Sequence, residues 1–128
     1  MKELNTHLNI NNALCGKVTK LEENYAEVLL HTTQQMSADS KGLVHGGFVF
    51  GAADYVAMVA VNDPFVVLGS STSKFLAPVR VGDVVLLKGK VVQQKGRKNE
   101  VKVEAFVKEK LVFEGSFTTF VLDKHVLG

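Results

Sequence analysis

A histidine, two glycines and one aspartate have the types and spacing needed for chemistry on a carbonyl group. His45-Gly46-Gly47 opens an apolar stretch that runs to Val61, and Asp54 is the only carboxylate within it. The first N–H groups of a helix lack intrahelical partners and lie at the positive end of its dipole, so they can bind an anion or polarise a carbonyl oxygen. The two glycines would let a substrate approach the backbone, or they could serve only a tight turn into the helix.

Asp54 is the second chemical candidate. A helix that is apolar on all sides is usually buried, and an ionised carboxylate inside it costs free energy unless it is used or satisfied. Desolvation would raise its pKa toward the range of a general base, provided that no cation lies beside it. The alternative is a carboxylate at an exposed edge of the helix that is hydrogen-bonded to backbone or solvent.

The spacing of these two candidates restricts how they can work together. Gly46 and Asp54 are separated by about 12 Å along a helix and by about 80° around it. One subunit's Asp54 therefore cannot easily act on a carbonyl group held at its own Gly46. Two antiparallel copies would bring each carboxylate to the other's helix start, which predicts two equivalent sites across a two-fold axis.

The rest of the chain predicts the elements that position this helix. The helix should end near residues 62–64, because Pro64 cannot continue it. A short helix is predicted within residues 3–15 and a hairpin from 17–21 and 25–32. After the helix, strands are predicted at 65–77, where the strand is long or bulged, and at 84–92, 100–108 and 111–122. This order predicts an α+β fold in which a long curved antiparallel sheet of five to six strands wraps around one central buried helix.

Length and composition limit the possible classes of protein. A chain of 128 residues predicts one domain over residues 1–128, with no room for an appended DNA-binding module. Hydrophobic residues make up 46% and charged residues 22%, which excludes a disordered chain. The N-terminus lacks signal-peptide features and the lone Cys15 cannot form an internal disulfide, so we expect a cytoplasmic protein. The apolar stretch is too short and interrupted to span a bilayer.

Scattered histidines and the isolated cysteine argue against a metal site or a cysteine nucleophile. Metal ligands would have to come from His7, His31, His45 and His125, which have no metal-binding spacing. Cys15 has neither a base nor a charged neighbour in the sequence, so we do not expect it to attack a substrate. No cofactor is expected.

The second half of the chain carries most of the positive charge. Residues 1–64 contain four lysines and seven acids, whereas residues 65–128 contain eleven lysines or arginines and six acids. Much of the excess lies around the predicted turn at Gly96, including Lys95, Arg97 and Lys98. These side chains could attract a phosphate-bearing ligand, or they could be a solvated hairpin tip. Nucleic acid is not favoured, because aromatic residues are absent from the cluster.

From about residue 16 to residue 122, the chain resembles the hotdog-fold acyl-CoA thioesterases, especially the branch similar to phenylacetyl-CoA thioesterase. Val44-His45-Gly46-Gly47 followed by Ala53-Asp54 resembles the family's His-Gly-Gly and carboxylate motif. Phe75-Leu76-Ala77-Pro78 with Gly82-Asp83 resembles its next landmark, a long strand that enters a proline turn. Gly96-Arg97 is similar to the basic hairpin that often lies beside coenzyme A. Each piece is moderately specific, and together, in order, they form a strong pattern.

The resemblance implies roles for the central residues. It implies that Asp54 of one subunit acts as a general base or nucleophile on a thioester, while the Gly46 N–H of the other, aided by Gly47, polarises the carbonyl. His45 would position the thioester or the helix start, unless it is only structural. The coenzyme is expected as part of the substrate.

Further residues are predicted to bind the substrate. Ser70, Ser71 and Ser73 would line its groove, and Lys95, Arg97 and Lys98 would bind the coenzyme's phosphates. An acyl pocket could be lined by aromatic and sulfur-containing helix residues, although their helical spacing also fits a core: Phe48, Phe50, Tyr55 and Met58.

Three hypotheses follow. The leading one is a homodimeric thioesterase, with a dimer of dimers as a further possibility. The alternative is a non-catalytic acyl-CoA-binding hotdog protein with a regulatory role, although relatives of that kind have a non-acidic residue where this chain has Asp54. An acyl dehydratase of the same fold is disfavoured, because its proline-containing motif after a histidine and its helix glutamate are not found.

Overall fold

One long helix lies against a six-stranded antiparallel sheet in the computed structural model, which describes all 128 residues. This confirms the predicted α+β architecture, in which the helix is inserted after the second strand. The elements, in chain order, are α1 (Asn12–Cys15), β1 (Lys17–Glu22), β2 (Tyr25–His31), a 3₁₀ turn (Gln34–Met36), α2 (Gly46–Val61), β3 (Val66–Phe75), β4 (Val84–Lys95), β5 (Lys98–Val107) and β6 (Lys110–Val121).

The sheet has the strand order β1-β2-β4-β5-β6-β3, and every neighbouring pair is antiparallel. Hairpins connect β1 with β2, β4 with β5, and β5 with β6. Strand β3 follows the helix and pairs with β6 at the far end of the sheet, so its other edge has no partner strand in the chain. An unpaired edge of ten residues is open to pairing with another chain.

Helix α2 contacts all six strands, and its residues form the centre of a core cluster of 25 buried side chains. The sheet therefore wraps around the helix, as predicted. The helix begins after His45 and ends before Asn62, which caps it in a left-handed conformation with φ 56°. Pro64 follows two residues later, as the predicted end requires. No helix in the protein has the length and apolar character needed to cross a membrane.

The short helix predicted within residues 3–15 is present as a single turn, Asn12–Cys15, at the end of that range, and the residues before it are not helical. Residues 1–11, here called the N-terminal strap, are held by backbone contacts instead. The Asn5 N–H donates to Asn62 Oδ1 (2.7 Å), Asn62 Nδ2 donates to the Glu3 carbonyl (2.9 Å), and the Lys2 N–H donates to the Leu21 carbonyl (3.2 Å). These long-range bonds, rather than helix propensity, determine the path of the strap.

Close contact between α2 and β4 depends on Gly89. A Cβ placed there would lie 3.0 Å from the Val56 carbonyl oxygen and 3.3 Å from its carbon, so helix backbone would have to shift. We predict that Gly89→Ala lowers the free energy of unfolding by about 1–3 kcal/mol, the usual cost of overpacking. Urea denaturation at one protein concentration measures this change. The exposed neighbour Lys90→Ala should change stability by no more than about 0.5 kcal/mol, and an equally stable Gly89→Ala protein would contradict the prediction.

Candidate active site

The first turn of α2 presents free backbone donors. His45 occupies the N-cap position with no capping hydrogen bond from its side chain, and its own N–H donates to the Met36 carbonyl (2.8 Å). The N–H groups of Gly46 and Gly47 have no acceptor within the chain. Because they lie at the positive end of a sixteen-residue helix, they can stabilise negative charge on a carbonyl oxygen.

The absence of side chains at both glycines keeps this helix start accessible. A Cβ at Gly46 would lie 3.2 Å from the Phe75 ring, and one at Gly47 would lie 3.0 Å from His45 Nε2. Gly46 and Phe75 also line a mainly apolar cavity of about 280 Å³, here called the Gly46 cavity, with Leu43, Val44, Val49 and Val112 among its other residues. The His45 ring thus lies beside the helix start, which is compatible with the positioning role expected for it.

Asp54 lies on α2 between buried neighbours, Ala53 and Tyr55, and is itself partly buried. Its burial raises the pKa of its carboxyl group, while the charge of His7 lowers that pKa by a smaller amount. The carboxylate forms no ion pair or side-chain hydrogen bond within the chain. Asp54 therefore has the environment of a general base, because desolvation makes the ionised form a stronger proton acceptor.

The N-terminal strap and α1 bring two further titratable groups near Asp54. Burial lowers the pKa of His7, and the charge of Asp54 opposes that shift. The His7 ring packs beside Tyr55 with a centroid separation of 6.1 Å, and its Nδ1 lies 2.7 Å from Thr6 Oγ1. The pKa of the Cys15 thiol is raised by burial and by the charge of Asp54. Cys15 therefore remains protonated, which is unfavourable for a nucleophile.

The proximity of His7 to Asp54 was not detectable from the sequence. The two residues are distant in the chain, and the strap around His7 has no motif or regular apolar period. His7 has a positive φ of 54° and is placed by contacts with Tyr55 and Thr6. The only sequence signal is the group of asparagines in residues 5–12, whose side chains favour capping and turns over a helix.

The predicted serines lie on both faces of β3. Ser71 and Ser73 pair with Phe117 and Gly115 of β6, on the face that packs against α2, and their hydroxyl oxygens are 2.7 Å apart. Ser70 pairs with Thr118 on the opposite face. Alternation along the strand puts Ser70 on the face opposite Ser71 and Ser73. The irregularity in register between Leu68 and Ser70 determines which of these serines share the face of Leu68. Only Ser71 and Ser73 therefore face the side of the sheet where α2 lies.

Of the predicted apolar pocket residues, Tyr55 and Met58 are buried, whereas Phe48 is partly buried. Met58 belongs to the core, with 1% of its surface exposed. Tyr55 lines a cavity beneath the N-terminal strap, and Phe48 packs edge-on against His45 with a centroid separation of 6.2 Å. The helix therefore divides Met58, Tyr55 and Phe48 between the core, the strap side and the helix start, while the partly buried Phe50 packs against Phe117 of β6 with a centroid separation of 5.5 Å.

The basic side chains lie at the tip of the β4–β5 hairpin, away from the helix start. Lys95 and Lys98 face each other across the turn and line a depression of about 180 Å³. Arg97 forms an exposed ion pair with Asp123, which holds the pKa of the aspartate below its ordinary value. Gly89 contacts the middle of α2 at Val56, and the tip lies six residues further along β4, which is about 20 Å along the strand. Only a long ligand could contact both regions.

The middle of the chain matches a known protein family. The thioesterase superfamily model matches residues 41–114, which include the start of α2, Asp54 and strands β3 to β5. The chain belongs to the thioesterase superfamily. This membership places the free N–H groups and the carboxylate within a family of thioester hydrolases and confirms the resemblance.

Solved structures of related proteins share the fold. An uncharacterized protein from Pyrococcus horikoshii is 48% identical with a TM-score of 0.98, over 99% of this chain and 98% of that one. The phenylacetic acid degradation protein PaaI from Thermus thermophilus, in a mutant form, is 28% identical with a TM-score of 0.79, over 87% of this chain and 96% of that one. The thioesterase superfamily chain therefore has the hotdog fold of PaaI-like proteins.

Two sequence relatives are longer than this chain. Methylthioribose-1-phosphate isomerase from Aquifex aeolicus is 55% identical over 122 residues, which cover 94% of this chain and 27% of that protein. Transcription factor FapR from Caldanaerobacter subterraneus is 31% identical over 99 residues, which cover 77% of this chain and 50% of that protein. The chain thus spans about a quarter of the first relative and half of the second.

The electrostatic link between His7 and Asp54 predicts a measurable change in titration. Where His7 is protonated, its charge stabilises the ionised carboxylate of Asp54 and so lowers the pKa of Asp54. His7→Gln should therefore raise the pKa of Asp54 above its wild-type value. Asp54 would then become protonated at a higher pH when the solution is acidified. Carboxyl-detected NMR of Asp54 measures this pKa. His31→Gln, on β2, is the matched control, and an unchanged or lowered Asp54 pKa in His7→Gln would contradict the link.

Proposed function

We propose that the protein hydrolyses acyl-CoA thioesters at a site shared between two subunits. The observation that carries the proposal is the combination of a desolvated Asp54 with uncapped Gly46 and Gly47 N–H groups on the same helix, in a chain of the thioesterase superfamily. Within one subunit these groups are about 12 Å apart along the helix. The carbonyl group of a thioester spans far less than this distance, so it cannot contact both groups of one subunit. The site therefore requires groups from two copies.

The proposed reaction assigns one task to each group. The carbonyl oxygen accepts a hydrogen bond from the Gly46 N–H of one subunit, and the Gly47 N–H supports the developing negative charge. Asp54 of the other subunit removes a proton from water as the water oxygen bonds to the carbonyl carbon. Collapse of the tetrahedral intermediate breaks the carbon–sulfur bond, and the departing thiolate takes the proton that Asp54 removed from the water, which regenerates the carboxylate. The products are a carboxylic acid and coenzyme A. Direct attack by Asp54 is the alternative first step.

The uncovered face of α2 supports an arrangement of two subunits. Gly47, Gly51 and Asp54 are spaced by four and three residues, so they share one face of the helix. These three remain at least partly exposed, whereas most other residues of α2 are buried. A Cβ at Gly51 would meet nothing within 4 Å. The surface of α2 that the sheet leaves open is therefore the one that carries the candidate groups.

The substrate's length fits the separation of the two predicted binding regions. The Gly46 cavity is apolar, whereas Lys95 and Lys98 form a cationic tip. Coenzyme A joins a thiol-bearing arm to a phosphorylated nucleotide, so one molecule could contact a helix start and a basic tip at once. Arg97 would bind phosphate only by exchanging Asp123 for it, because its guanidinium already holds that carboxylate.

A second candidate function is acyl-CoA binding without turnover, in a regulatory role. The similarity to the transcription factor FapR favours this function, because that relative is a regulator. The chain matches half of that protein. Asp54 favours hydrolysis, because a desolvated carboxylate is costly and a binding protein would have no use for its basicity. The two functions therefore differ in whether bound thioester is consumed.

Replacement of Asp54 tests the proposed catalysis. Asp54→Asn keeps the size of the side chain and removes its basicity, so thiol release from a panel of acyl-CoA substrates should fall by about a hundredfold or more. Binding of acyl-CoA, measured by calorimetry with the inactive variant, should persist. Undiminished turnover in Asp54→Asn would remove the catalytic assignment. If wild type retains acyl-CoA for hours without hydrolysis, the regulatory function replaces the proposed one.

A large side chain at Gly51 tests the shared site. Gly51→Leu has space within one subunit but would occupy the face on which the second subunit is proposed to lie. We expect a shift to monomer in sedimentation experiments and a fall in thiol release of about a hundredfold, because the catalytic groups separate. Thermal unfolding confirms that the variant is folded. A Gly51→Leu protein that remains an active dimer, or an active wild-type monomer, would contradict the shared site.

A further inference from the structure

The N-terminal strap and β1 line an open cavity beside Tyr55 of α2. The strap is fixed at Asn62 by the hydrogen bonds to Glu3 and Asn5, and at β1 by the bond from Lys2 to Leu21. Between these attachments and α1 it crosses over the helix near Tyr55. The space between the strap, β1 and Tyr55, here called the strap cavity, is open to solvent and has a volume of about 290 Å³.

The lining of the strap cavity is mainly apolar. The strap contributes Leu4, Leu8 and Ile10, β1 contributes Val18 and Leu21, and α2 contributes Tyr55. Lysines of the strap and β1 also line the cavity, and Lys2 is already paired with Glu23. Such a lining binds an apolar group by removing its surface from water, and it offers few fixed partners to a polar one.

The cavity adjoins the candidate catalytic carboxylate. Tyr55 follows Asp54 directly in the helix, and His7, which also lines the cavity, lies close enough to Asp54 for their charges to interact. His7 packs against Tyr55 at the same place. Asp54 is not among the residues that line the cavity, and His7 connects the two, so a molecule that reacts beside Asp54 would pass His7 to enter the cavity of the same subunit.

The size of the cavity restricts its occupant. Ligand pockets usually have volumes of about 300–1,000 Å³, so the strap cavity is at the lower limit. It is too small for a nucleotide and is suited to one aliphatic chain or one aromatic ring. Leu8 has 71% of its surface exposed although it lines the cavity. Contact with an apolar ligand would cover part of that side chain.

We propose that the strap cavity binds the acyl group of the thioester and selects for apolar acyl groups, with Leu8 at its rim and Tyr55 at its floor. This inference rests on the proposed function, since it uses Asp54 as the reacting centre. The acyl chain and the sulfur are both bonded to the carbonyl carbon and leave it in different directions, and the apolar strap cavity suits the acyl chain. The coenzyme arm then extends from the sulfur toward the other subunit's Gly46 cavity.

Leu8→Asp tests the strap cavity without disturbing the core, because Leu8 is largely exposed. For wild type, kcat/KM should rise by about threefold to fourfold for each added methylene until the cavity is filled. In Leu8→Asp this dependence on chain length should be lost, so the fall in kcat/KM relative to wild type should grow with each added methylene and be smallest for acetyl-CoA. Leu127→Asp is the matched control, since Leu127 is 87% exposed at the C-terminus, and it should behave as wild type.

The Gly46 cavity is the competing acyl site, and Leu43→Asp tests it in parallel. Leu43 lines that cavity and is 41% exposed. If the proposal holds, Leu43→Asp lowers kcat/KM for short and long substrates by similar factors. If Leu43→Asp abolishes the dependence on chain length and Leu8→Asp retains it, the acyl group lies in the Gly46 cavity and the proposal is overturned.

Binding of free fatty acids separates this inference from the proposed function. Octanoate and decanoate should bind wild type, and Leu8→Asp should weaken their binding by about tenfold or more, as measured by calorimetry. If Leu8→Asp weakens fatty-acid binding but the protein hydrolyses no thioester, the strap cavity is retained as an acyl site and the catalytic function is removed. The opposite result would be thioester hydrolysis in which Leu8→Asp affects neither fatty-acid binding nor the dependence on chain length. That result would retain the proposed function and overturn the strap cavity as the acyl site.

Discussion

Packing of one helix against all six strands is the constraint on which the rest of the structure depends. Helix α2 buries most of its residues in the core, and the close approach at Gly89 leaves no room for a side chain between helix and sheet. A helix held this tightly has only one side left for polar chemistry. The glycines and Asp54 lie on that side, where a carboxylate can be partly desolvated without being fully buried in the core.

The central part of the fold could be predicted from local signals in the sequence. The apolar run after Gly46 and the proline at position 64 determine the helix, and alternation in residues such as Val101 and Val103 determines β5. These signals depend on neighbouring residues along the chain, so they are visible without a structure. The motif that begins at His45 also carried the resemblance to the family, which the match over residues 41–114 confirmed.

The surroundings of the site could not be predicted, because they depend on contacts between distant residues. Residues 3–15 suggested a helix, whereas Asn62 holds the strap through its backbone and so brings His7 toward Asp54. The choice of which serines of β3 share the face of Leu68 depends on the irregular pairing with β6 between Leu68 and Ser70, which alternation along one strand does not reveal. Likewise, the ion pair of Arg97 with Asp123 joins the hairpin tip to the C-terminal segment.

The attachment of the strap through its main chain has an evolutionary consequence. Asn62 recognises the peptide groups of Glu3 and Asn5, so the side chains of those residues are not needed for the attachment. Side chains elsewhere on the strap, such as Leu8 and Ile10, can therefore change while the path of the chain is preserved. Lineages that keep an asparagine at position 62 could diversify the surface beneath the strap by single substitutions, with little cost to the helix or the sheet.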